Sequence, residues 1–159
     1  MILNAMCVRD LMLYFEEHTA IEIRAENGHN TAYFNVICPA LLHDIEPLKK
    51  YELEEILYHV IQLTLSGYIV SDFTFNPERS DGYLPVSAVY YVTPKGHDFA
   101  ASIRQEREWT KISSILKTLG NVSLRIIEAV SKVVADAAID AVTSGVSTGT
   151  LPLLNISAE

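Results

Sequence analysis

A chain of 159 residues, 49% apolar and 20% charged, is long enough to bury one core without disulfide or metal staples. Its 20 acidic and 12 basic residues leave a net charge of -8, which excludes a strongly cationic nucleic-acid binder and disfavours duplex DNA as a partner. The same composition excludes a disordered chain, a collagen-like chain and a disulfide miniprotein.

Residues 8–18 read as a first helix. Val8, Leu11, Met12 and Phe15 recur at helical spacing, with Arg9, Asp10, Glu16 and Glu17 on the expected wet side. Arg9 and Asp10 also cut the N-terminal apolar stretch short, against an export signal. Residues 20–25 alternate, Ile21 and Ile23 apolar with Glu22 and Arg24 polar, as a short half-buried strand does. Asn27-Gly28-His29-Asn30 is a turn cluster; 33–37 either extends a second strand or leads into a small helix. Pro39 suits the first turn of a short helix through His43, and Pro47 ends that region.

Residues 51–66 form the clearest helix. Leu53, Ile56, Leu57, Val60 and Ile61 are expected inward, and Glu52, Glu55, His59, Gln62 and Ser66 outward. Gly67 stops it. Two strand-like runs, 68–75 and 86–93, flank the turn-forming segment 76–82 and predict a long-looped β-hairpin, with Ile69, Phe73, Val89 and Tyr91 inward. Thr93 is an N-cap with Pro94 at the first position of a helix reaching about Arg107. A further helix from Trp109 sets Ile112, Ile115, Leu116 and Leu119 on one face and ends at Gly120. Ser123 caps a last helix to about Val142, and a Ser/Gly/Thr-rich tail follows. Glu128, Lys132, Asp136 and Asp140 make this last apolar region no ordinary membrane span.

This order predicts an α+β, mainly helical fold: a winged helix-turn-helix core with a β-hairpin wing and a C-terminal helical extension. Residues 51–66 take the place of the recognition helix, and 76–82 that of the wing. The expected divisions are a winged-helix-like domain over 1–108, helices for packing or oligomerisation over 109–142, and a low-charge tail over 143–159.

Leu3-Asn4, Cys7-Val8-Arg9-Asp10-Leu11 and Glu16-Glu17 resemble the opening of a phage- and prophage-associated bacterial family, domain of unknown function 2513. Tyr58-His59, Leu65-Ser66-Gly67-Tyr68-Ile69, Thr93-Pro94-Lys95-Gly96-His97-Asp98-Phe99 and the stretch from Ile103-Arg104 to Trp109 are similar to its later motifs. So is 117–127, with Gly120 and Ser123-Leu124. The resemblance covers about residues 1–135. It implies a small cytoplasmic protein with a winged-helix-like core, and it implies no activity.

Residues 1–109 hold 8 basic and 16 acidic side chains, so this part carries the whole charge excess. The surface expected to meet a protein partner or DNA comprises Lys49, Lys50, Glu52, Glu55, His59, Gln62 and Arg79. Its glutamates repel phosphate, which favours a non-enzymatic protein-interaction or oligomerisation module over a DNA-binding regulator. Leu124, Ile127, Val130, Val134 and Ala138, broadened by Ile126 and Val133, are the expected homo-oligomer interface. No catalytic residue, cofactor or metal site is expected. The histidines have no partner at ligand spacing, and the glycines form no phosphate-cradling loop. Cys7 and Cys38 read as reduced cytosolic thiols and small buried hydrophobes, Trp109 as a core residue, and His59 as a half-exposed histidine bonded to a carboxylate such as Glu55.

Overall fold

The computed structural model describes residues 2–26, 28–73 and 88–147, with side chains through Ala141 except that of Glu26. The expected wing 76–82 with Arg79, and residues 148–159 of the tail, lie outside the described residues. In chain order come α1 (Ala5–His18), β1 (Ile21–Glu26), β2 (His29–Phe34), two short 3-10 turns (Pro39–Asp44 and Leu48–Lys50) and α2 (Leu53–Leu65). Then follow β3 (Ile69–Ser71), β4 (Val89–Val92), α3 (Pro94–Arg104), α4 (Glu106–Leu119) and α5 (Leu124–Ser147). Among the described residues the fold is mainly helical with two small antiparallel strand pairs.

Asn4 starts α1 because its side-chain oxygen accepts the N–H groups of Met6 and Cys7, at 3.0 and 3.4 Å. Val8, Leu11, Met12 and Phe15 are buried as the periodicity predicts, and Cys7 joins them. Asp10 departs from its expected wet position. It is buried, accepting the Tyr51 hydroxyl at 2.8 Å and pairing with Lys50 at 2.8 Å, and that partnership offsets the cost of burying a carboxylate. Arg9 is largely covered too. Its guanidinium donates to the carbonyls of Ile103 and Arg104, pairs with Glu106 and lies 5.2 Å from the Trp109 ring centre. A cation thereby caps the carboxyl end of α3.

β1 and β2 pair from Ile21 opposite Phe34 to Glu26 opposite His29. The strand forms, but its expected buried face does not: Ile21 and Ile23 are 60% and 69% exposed. The hairpin meets β4 through Phe34, whose ring stacks on Tyr91 at 5.7 Å.

In the second pair the register shifts between Val70 and Ser71. One extra residue in β4 lets Val89 and Val92 both turn inward although they stand three apart, and it leaves Tyr91 exposed rather than inward. Ile37 bridges Val89 through reciprocal bonds of 3.0 and 2.8 Å, so β4 lies between Ile37 and β3.

Thr93 caps α3 by accepting the Gly96 N–H at 3.0 Å, as expected. The helix ends at Arg104 because Gln105 is extended, not near Arg107. On α4, Trp109, Ile112 and Leu116 are buried while Ile115 and Leu119 are exposed, so the inner face is rotated from the expected one by the packing of Trp109 beneath Arg9. Leu124, Ile127 and Val134 of α5 complete a single core that begins at Cys7, and this core runs across the expected boundary at 108/109.

Candidate functional site

α2 carries no lysine or arginine. Its first turn holds Glu54 and Glu55, which suit the positive end of the helix dipole. Ile56, His59, Val60 and Leu63 are its buried side chains, at spacings of three and four. The expected inner set is therefore rotated. Leu53, Leu57 and Ile61 are only half-buried, and His59 and Leu63 occupy the core instead. The opposite face presents Glu54, Tyr58, Ile61 and Leu65, with Leu65 65% exposed. Glu52 is exposed before the helix. Gln62 is half-buried and, with Tyr58, borders a groove closed by Leu3, Val122, Leu124 and Arg125.

His59 corrects its expected half-exposed position. It is wholly buried because both ring nitrogens find backbone partners. Nε2 accepts the Asn4 N–H at 2.8 Å, and Nδ1 lies 2.6 Å from the Glu55 carbonyl, which fixes the neutral ring with its proton on Nδ1. Burial holds its pKa below the ordinary imidazole value, against the opposing pull of Glu55. Asn4 also donates through Nδ2 to the Glu55 carboxylate at 2.8 Å. One residue thus caps α1 and binds it to α2, 55 positions away from its His59 partner. The Cys7 thiol is buried in the same place. Burial first, then the Glu55 and Asp10 carboxylates, push its pKa up to about 12. The Cys7 sulfur, a Glu55 carboxylate oxygen and a His59 ring nitrogen lie within 4.8 Å of one another. Sequence spacing could not show this cluster, because the packing of α1 on α2 assembles it.

The two lysines before α2 are already engaged. Lys49 pairs with Glu46, and Lys50 neutralises the buried Asp10. Neither stands as a free cation beside α2. Arg79 lies outside the described residues.

Among the expected oligomer residues, Leu124, Ile127 and Val134 are buried in the chain's own core, so they are not exposed for a second copy. Val130 and Ala138 are half-buried, and Val133 is 67% exposed. The first half of α5 packs on α3 and α4 because Leu124, Ile127, Ser131 and Val134 form one inward stripe.

Trp109 and Phe99 are core residues and form no exposed stacking platform. No helix among the described residues is long and apolar enough to cross a membrane.

The model of a family described as "Hypothetical protein (DUF2513)" matches residues 3–123. No curated protein and no solved structure matches the chain.

Proposed function

We propose that this chain, which belongs to the family of domain of unknown function 2513, is a non-enzymatic winged-helix protein that acts as a protein-interaction module. The outer face of α2 is its docking surface. The winged-helix reading is supported by element order: α1, the Ile37 bridge, the turn at Pro39–Asp44, α2, then β3 and β4, with β4 between Ile37 and β3. In that arrangement α2 stands where a recognition helix would.

The observation that carries the protein-partner reading is the chemistry of that helix's outer face. The exposed Glu54 and Leu65, with the half-buried Tyr58 and Ile61 between them, combine one carboxylate with apolar and aromatic side chains. Duplex DNA presents a negative charge about every 1.7 Å of axis, and a helix with no lysine or arginine of its own releases few counterions on contact. Aromatic and aliphatic side chains around a rim charge instead suit a partner's apolar groove. Self-association through the outer face of α5 belongs to the same proposal and is supported by Val133, exposed beside the packed stripe. Two free cysteines support a reducing, cytoplasmic setting, and a regulatory role in phage or prophage biology is part of this reading.

The alternative, a DNA-binding regulator using α2 and the 76–82 segment, is separated by a salt series. Titration of a labelled duplex at low salt is expected to give no saturable binding, with Lys49→Glu plus Lys50→Gln, shown to be folded by circular dichroism, making no difference. An affinity that falls steeply with salt and is lost in that double variant would overturn the proposal in favour of DNA.

A further inference from the structure

We propose that Cys7, Glu55 and His59 form a site for one zinc-class divalent cation, assembled where the first turns of α1 meet α2. The three donor atoms, a sulfur, a carboxylate oxygen and an imidazole nitrogen, lie within 4.8 Å of one another. A four-coordinate zinc has bonds of about 2.0–2.3 Å and holds its ligands roughly 3.3–3.7 Å apart, so the cluster needs to close by up to about 1.5 Å. The donor set selects the metal class. Magnesium and calcium take oxygen ligands, whereas a mixed thiolate, imidazole and carboxylate set is typical of zinc and its cobalt(II) surrogate.

Charge supports the same assignment. On binding, the thiol proton leaves to solvent and the sulfur coordinates as thiolate. A dication then balances that thiolate and the Glu55 carboxylate, with His59 neutral. Cys7 and His59 are both fully buried, so the ion would be held inside the domain, with water as the fourth ligand. His59 already stands as the neutral tautomer, its Nε2 lone pair engaged by the Asn4 N–H at 2.8 Å. The cation replaces that donor. Loading therefore frees the Asn4 amide and couples the site to the N-terminal segment Ile2–Asn4.

The test uses the full chain, stripped with a chelator and titrated with cobalt(II) and then zinc. The expected result is one ion per chain, with a thiolate-to-cobalt charge-transfer band that zinc removes. Hydrogen exchange of the Asn4 amide should quicken on loading. Cys7→Ser should abolish the band. Glu55→Gln keeps an acceptor for Asn4 and hence the fold, and should weaken uptake at least about tenfold. Circular dichroism of each variant checks that it is folded. Failure of the wild-type chain to take up cobalt(II) above the level of Cys7→Ser would overturn the site, as would uptake without the thiolate band.

Discussion

Tyr68 is 1% exposed, yet its hydroxyl donates to Glu128 at 2.7 Å, joining the turn after α2 to α5. Its ring packs on Phe99 with centroids 4.9 Å apart, and Lys95 lies 4.2 Å over it. The Tyr68 hydroxyl is the main reason the Glu128 carboxyl sits below its ordinary pKa of 4.5, with Lys132 and Lys95 adding to it. Tyr68→Phe preserves the ring and removes one bond to a charged acceptor. It should lower unfolding stability by about 1.5–3 kcal/mol at neutral pH, measured by urea denaturation. Because the folded pKa is depressed, this contribution is complete above the unfolded value and is lost as pH falls through the folded one. The gap between wild type and variant should therefore narrow below about pH 4.5. A gap constant down to about pH 3 would show that the charge of Glu128 has no part in the bond.

At the scale of elements, α3 lies so close to the turn after α2 that only glycine fits at position 96. A Cβ there would meet the Tyr68 carbonyl oxygen at 2.1 Å and a Val92 methyl at 2.6 Å. Gly96→Ala must push α3 away from both and should cost about 3 kcal/mol in stability, read as a fall in urea midpoint at unchanged slope. A midpoint equal to wild type would mean that the helix yields without loss of packing. These elements were readable from local patterns where one residue type has one local role. Thr93-Pro94 marked the start of α3, Gly67 the end of α2, and the alternation from Ile21 the strand β1. The facing of elements was less readable. His59 and Asp10 are polar by type, and only distant partners, Asn4 and Tyr51, make their burial tolerable. The shift of register at Ser71 turned Tyr91 outward, and no local signal announces a bulge of that kind. Leu63 and Ile61 are equally apolar, so which of them faces the core was decided by the packing of α1 rather than by the helix itself.

For the whole molecule, the single core from Cys7 to Val134 makes the C-terminal helices part of the domain that presents α2. The net charge of -8 is consistent with the face α2 offers: Glu54 and apolar groups, with the two lysines before the helix held by Glu46 and Asp10. The cluster of Cys7, Glu55 and His59 was illegible in the sequence for the same reason the single core was, since both exist only once α1 and α2 are packed. Protein docking through α2 is tested most directly by placing a photo-crosslinking amino acid at Leu65, which is 65% exposed, and irradiating living cells. Adducts with protein, absent when the probe is moved to Lys111 on the exposed side of α4, are the predicted result. Nuclease-sensitive adducts with DNA at Leu65, or protein adducts equal in amount at Lys111, would contradict it.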